Sequence, residues 1–192
     1  MLLYAFSSGV LESQKHLFTA GRGTGVPFNV PVPFYLIDHP KGKVLVDTGM
    51  AMAVAKDPVA HWGSAVKVYR PVMREEDFVV NQLAQLGVQP DDIAFVIQTH
   101  LHLDHAGGVA CFPKARIIVQ RDELHFAYVP DYYQKGAYIR ADFDHPLNWL
   151  ILEGWQDDRY DLFGDGRIVI RFSPGHTPGH QWVRLDLPES GP

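Results

Sequence analysis

Residues 99–108 read THLHLDHAGG, which sets His100, His102, Asp104 and His105 within six positions and closes on Gly107 and Gly108. In an extended chain His100, His102 and Asp104 share one side, whereas a regular helix turns His100 and His102 nearly opposite ways. A single helix therefore cannot gather them. The spacing predicts a strand over 94–99 running into a loop, with Asp104 and His105 opening a helical turn whose positive N-terminus favours the carboxylate. The glycines are expected to admit close backbone approach. Imidazole nitrogens and a carboxylate oxygen suit zinc or a similar first-row divalent ion, because calcium and magnesium prefer all-oxygen shells. In this context the four residues read as metal ligands rather than unrelated surface groups.

Working outward, residues 173–180 read SPGHTPGH, directly after an apolar run. Two Pro-Gly turns each present a histidine. His176 is the expected ligand, since it comes first after the run and lies in the tighter turn. His180 is either structural or a support for a ligand.

The surrounding chain has the composition of an ordinary globular protein. Its 192 residues suit one domain over 1–192. A net charge of −5 with scattered Lys and Arg gives no basic stripe, which argues against nucleic acid as a partner. With no basic leader and no apolar run of bilayer length, no membrane association is expected and a cytoplasmic location is. The single cysteine, Cys111, reads as packing rather than a nucleophile. Apolar, β-branched runs predict strands at 2–6, 32–38, 43–47, 94–99, 116–120, 167–172 and 181–187. Pro40, Lys41 and Gly42 predict a hairpin turn. Helices are expected over 75–86 and 121–128, while 130–150 has no sustained period and reads as partly loop. Helices interleaved with strands indicate α/β or α+β layering.

VLVDTG at 44–49, THLHLDHAGG and SPGHTPGH, in this order, resemble the metallo-β-lactamase superfamily over nearly the whole chain. Within it, VPVPFYLIDHPKGKVLVDTG, IIVQRDEL, LFGDGRIVI and SPGHTPGHQ resemble the N-acyl-homoserine lactone lactonases. The resemblance implies an α/β fold of αβ/βα sandwich type with two metals at one edge of the sheets. It implies that His100, His102 and His176 hold the first metal, and that Asp104 and His105 belong to the second. Asp47 matches a strand-end aspartate that either orients a ligand histidine or caps a Thr-Gly turn. Zinc is the implied metal, two ions in the complete site, with other first-row divalent ions open. The implied reaction is quorum-quenching lactone hydrolysis: hydroxide held between the ions attacks the carbonyl, and the catalytic residue Asp104 shuttles the proton. The implied partner is a small acyl lactone, with a homodimer left open.

An acyl tail needs an apolar mouth, for which the aromatic segments 28–35, 62–69 and 128–138 are candidates, although such residues are more often core. The lack of a basic patch favours a neutral acyl substrate over an anionic glutathione thioester. The family pattern continues with a bridging aspartate, a tyrosine and a last histidine that have no matching position here. The domain is therefore expected to be C-terminally incomplete, with strand 181–187 an exposed edge and the second metal keeping only Asp104 and His105. A glyoxalase II-like thioesterase, another hydrolase of the superfamily and an inactive metal-binding fragment stay open as alternatives.

Overall fold

The structure, a computed structural model, describes residues 1–187. The chain opens with strands β1 (Leu2–Gln14), β2 (Pro27–His39) and β3 (Gly42–Val46), followed by short helices α1 (Met52–Lys56) and α2 (Pro58–Trp62). Then come β4 (Arg70–Val72), α3 (Val79–Gln85), β5 (Ile93–Ile97), β6 (Arg116–Gln120), α4 (Arg121–Tyr128) and α5 (Arg140–Phe143). Strands β7 (Trp149–Leu152), β8 (Arg159–Asp161), β9 (Ile168–Phe172) and β10 (Gln181–Leu185) complete the series. They form a seven-stranded sheet in the order β4-β1-β2-β3-β5-β6-β7 and a three-stranded sheet in the order β10-β9-β8. The antiparallel β1-β2-β3 meander gives way to parallel pairing from β3 through β5 and β6 to β7.

Alternation along the central strands sorts side chains into two cores. Leu36, Leu45, Val96, Ile117 and Val119 face the helical layer, where they meet Val79 and Leu83 of α3, Ala127 of α4 and Phe143 of α5. Their neighbours Ile37, Val44, Val46, Ile97 and Ile118 face the small sheet and pack on Ile168 and Ile170. Helices, large sheet and small sheet thus form three consecutive layers. Cutting a fully buried side chain such as Ile97 back to Ala costs about 2–5 kcal/mol, so the strand ends that carry the site rest on a stiff base. No helix among the described residues is long and apolar enough to cross a membrane.

Several expected boundaries move. Strand β1 continues to Gln14, beyond the expected Phe6, because β2 pairs with it as far as Gln14 opposite Pro27. The helix expected over 75–86 divides into a single 3₁₀ turn at Glu75–Asp77 and α3, with Phe78 extended between them. The Asp77 carboxylate accepts from the Arg74 backbone N–H at 2.9 Å, which closes the first turn locally. Short strands β4, β7 and β8 arise from pairing rather than composition, and β7 begins at the end of the stretch read as partly loop and runs past it. Strand β10 ends the small sheet among the described residues.

Candidate metal centre

The chain leaves β5 at Ile97 and passes through Gln98–His102 without regular secondary structure, bending at Thr99, before turning at Leu103–His105. The helical turn expected at Asp104 forms as one isolated turn over Leu103–His105, and no α-helix grows from it. His105 and Ala106 both donate N–H bonds to the His102 carbonyl, at 2.9 and 3.1 Å, and the next helical residues are a 3₁₀ turn at Val109–Cys111. A hydrogen-bonded turn, not a helix N-terminus, therefore presents Asp104 and His105. Gly107 explains the tightness: a Cβ there would lie 2.0 Å from the Ala51 nitrogen. Its N–H donates to the Gly49 carbonyl at 2.8 Å, which brings the Asp47–Gly49 loop against the ligand-bearing turn.

Ligand-type atoms of His100, His102 and His176 all lie within 4.8 Å of one another. The Nε2 atoms of His100 and His102 are buried with no hydrogen-bond partner. Buried polar atoms are ordinarily satisfied, and three converging imidazoles, two of them with orphaned nitrogens, fit a divalent first-row ion with a position left open. Asp104 and His105 stand beside this trio. Asp104 Oδ2 is 3.4 Å from His105 Nε2, and the His105 ring centroid is 4.0 Å from that of His100. His180 stands behind: its Nδ1 is 2.8 Å from Ser173 Oγ, and its ring centroid is 5.5 Å from that of His100.

Asp47 sits in the left-handed region at φ 59°, a conformation that Asp tolerates better than most residues. Its Oδ1 accepts from the Thr99 N–H at 2.7 Å, and its Oδ2 accepts from the Thr99 hydroxyl at 2.8 Å. Oδ2 is also 2.8 Å from His105 Nδ1, which must carry the proton because a carboxylate only accepts. The Thr99 hydroxyl spends its one proton on Asp47, so at 3.0 Å from His100 Nδ1 its oxygen accepts. One carboxylate thus puts protons on Nδ1 of both His100 and His105, which leaves the Nε2 lone pair of the neutral His100 bare and reserves Nε2 of His105 as its other ring position, facing Asp104. Thr48 adds a second grip, its N–H and hydroxyl donating to the His105 carbonyl at 2.8 and 2.9 Å.

Burial pushes the His100 imidazole well below its ordinary value, with His105 and the other histidines adding repulsion. Burial, then His176, takes His102 down to about 3. Both rings are neutral at pH 7, the form that binds metal. For Asp104 burial alone would raise the carboxyl, but the charge and hydrogen bond of His105 outweigh it and hold Asp104 at about 2. For His105 burial favours the neutral ring, yet Asp104 and Asp47 together raise it well above its ordinary value.

A cavity of about 350 Å³ opens over His102, Asp104 and His176. Of the segments expected to supply its mouth, 62–69 contributes Tyr69 and 128–138 contributes Tyr133, Gln134 and Ala137, while Trp62 and Phe34 are core. Leu103 of the ligand-bearing turn and Leu11, Leu17 and Phe18 from the β1 end add to its apolar wall, and the last three were not anticipated. The sequence reading also passed over three buried glutamines. Gln120 donates to Gln181 Oε1 at 2.8 Å, Gln181 donates to the Gln98 carbonyl at 2.8 Å, and the Gly154 N–H donates to Gln120 Oε1 at 2.8 Å. Their signal is a glutamine directly after β5, at the end of β6 and at the start of β10, where apolar residues would otherwise continue.

A sequence profile described as metallo-beta-lactamase superfamily matches residues 28–191. The chain is similar to the N-acyl homoserine lactonase AttM of Azorhizobium caulinodans, 49% identical over 99% of this chain and 73% of that protein. It is also similar to the N-acyl homoserine lactonase AiiA of Bacillus thuringiensis subsp. kurstaki, 37% identical over 98% of this chain and 72% of that protein. Among solved structures, an N-acyl homoserine lactone hydrolase with the product N-hexanoyl-L-homoserine at its catalytic metal centre superposes with a TM-score of 0.86. It is 33% identical and covers 98% of this chain, which in turn covers 72% of it.

Proposed function

The chain belongs to the metallo-beta-lactamase superfamily, and from that premise we propose that it hydrolyses the lactone ring of N-acyl homoserine lactones in a metal-dependent reaction. The observation that carries this reading is the meeting of the histidine trio with a largely apolar cavity. The cavity is of a size for a small ligand. Its described lining holds no Lys or Arg, which suits a neutral acyl lactone better than an anionic thioester.

We assign His100, His102 and His176 to one metal ion, and Asp104 and His105 to a second. The ions are zinc in this proposal, since imidazole and carboxylate donors suit it. Such ions, when bound, supply Lewis acidity towards a carbonyl oxygen and acidify water. The chain's own groups do the remainder. Asp47 fixes the proton on Nδ1 of His100 and His105, directly or through Thr99, and so aims their free nitrogens. The Asp104 carboxylate, ionised at neutral pH, lies in the cavity wall and takes the proton released as water adds to the lactone carbonyl. It returns that proton to the ring oxygen as the acyl carbon–oxygen bond breaks, giving the alcohol and a carboxylic acid, which then loses its own proton to solvent. Burial and Asp104 raise the Tyr69 phenol above its ordinary value, so its O–H stays a donor facing the cavity. Leu11, Leu17 and Phe18 shield the acyl chain from water.

One domain acting in the cytoplasm, with a homodimer as its assembly, completes the proposal. The test is incubation of the zinc-reconstituted protein with N-hexanoyl homoserine lactone, followed by mass spectrometry. Gain of one water per molecule is expected. Intact lactone alongside rapid cleavage of a glutathione thioester overturns the reading.

A further inference from the structure

The stretch IIVQRDEL carries a residue that the chemistry above does not use, Glu123, near the start of α4. Its carboxylate is fully buried beneath the metal centre. Among the described residues no Lys, Arg or His lies in ion-pair range of it. Uncharged donors from three separate segments converge on it instead. The Leu101 N–H donates to Oε1 at 2.8 Å, between His100 and His102 in the chain. The Tyr138 hydroxyl donates to the same oxygen at 3.0 Å, and the Tyr138 ring stands edge-on to the His102 imidazole with centroids 4.7 Å apart. The Thr177 hydroxyl, next to His176, donates to Oε2.

Backbone packing gives an independent sign that this contact is built in. A Cβ on Gly179 would come 2.0 Å from the Glu123 nitrogen, so the loop carrying His176 lies flat on the first turn of α4. The two ligand-bearing loops belong to different strands, β5 and β9, in different sheets. No hydrogen bond between His100 or His102 and His176 fixes their separation among the described residues. Glu123 touches both loops and also the ring that backs His102.

We propose that Glu123 is a positioning residue for the metal centre: its buried carboxylate clamps the His100–His102 segment to the His176 loop and so sets the spacing of the three imidazoles. This rests on the metal-centre reading given above. Glutamine has the same shape but offers one acceptor oxygen, so with that oxygen kept on Leu101 and Tyr138 its amide nitrogen faces Thr177, whose hydroxyl must reverse from donor to acceptor, and the charge that strengthened all three bonds is lost. Aspartate keeps the acceptors on a shorter arm that does not reach both loops.

The experiment titrates metal-free full chain with Co²⁺, reading affinity and the visible absorption bands, for wild type, Glu123→Gln, Glu123→Asp and Thr177→Val. Both Glu123 variants are expected to bind Co²⁺ about 10–100-fold more weakly, as loss of groups that orient ligands commonly does, and to show shifted bands. Thr177→Val, which frees one arm of the clamp, is expected to give a smaller loss in the same direction. Folding is followed by circular dichroism. If the Glu123 variants do not fold, Thr177→Val decides. Wild-type affinity and bands in a folded Glu123→Gln, or in Thr177→Val, overturn the proposal. A wild-type chain that binds no Co²⁺ overturns the metal-centre reading itself, a result distinct from variants that match a binding wild type.

Discussion

Replacing Asp47 by Asn tests how much of the site is held from behind the ligands. Asn tolerates the left-handed backbone found at φ 59°, so the substitution changes acceptors without adding backbone strain. If the amide nitrogen takes the place of Oδ1, it faces the Thr99 N–H, a donor that cannot turn away. If it takes the place of Oδ2, the His105 proton must move from Nδ1 to Nε2, which removes the lone pair aimed at a metal. Thr99 must then also turn its hydroxyl, and His100 loses the acceptor that fixes its tautomer. A buried donor left without an acceptor costs about 1–3 kcal/mol. Metal-free Asp47→Asn should therefore unfold in urea with a stability lower by about that amount. For a chain of this size each kcal/mol corresponds to about 2–4 °C in melting temperature. Zinc affinity by calorimetric titration should fall about 10–100-fold. Asp47→Ala should be less stable still, because it removes every acceptor and places Ala in a region that costs about 1–2 kcal/mol. Stability within about 0.5 kcal/mol of wild type, the range of neutral surface changes, together with unchanged zinc affinity would refute the reasoning.

Further predictions follow from other parts of the molecule. His102→Ala should remove a ligand while opening little of the core, so metal content and lactone hydrolysis should both fall to background in a folded protein. Gly107→Ala puts a methyl group against the backbone of Met50 and Ala51 and should cost about 1–3 kcal/mol, read as a lower melting temperature. Gln181→Leu leaves the Gln120 amide without its acceptor and should destabilise by about 1–3 kcal/mol in urea unfolding. The fourth concerns pH. His61 Nε2 lies 2.7 Å from Asp142 Oδ1, and that hydrogen bond raises the His61 imidazole above its ordinary value. A raised base contributes fully below its unfolded value of about 6.5 and loses that contribution as pH climbs through the folded value. Burial also raises Asp142, which acts in the same direction. The stability gap between wild type and Asp142→Asn should therefore be larger at pH 6 than at pH 9, and a gap that grows with pH contradicts this.

Particular residues show how far the sequence could be read. The order of VLVDTG, THLHLDHAGG and SPGHTPGH pointed to the fold, and strand β6 lies at the expected 116–120 because Ile117, Ile118 and Val119 suit a buried parallel strand. Ligand-type atoms of His100, His102 and His176 lie within 4.8 Å of one another, although the stretch that carries the first two has already left the sheet. What local pattern could not carry was partnership across the chain. Leu17 and Phe18 reach the cavity because β1 is long, and its length comes from pairing with β2 rather than from its own composition. Glu123 reads as an ordinary acidic residue in the first turn of a helix, where it would favour the helix dipole. Only the folding of two ligand loops over α4 makes it a buried hub.

The central claim is that metal held by the histidine trio drives lactone hydrolysis. Its most direct test is the rate of N-hexanoyl homoserine lactone opening, measured as zinc is titrated into fully chelated full-length chain. The rate should rise from background with added zinc, level off as the site fills, and vanish again on chelation. Hydrolysis that persists after complete chelation, or that stays at background when the chain is fully loaded with zinc, would contradict the claim.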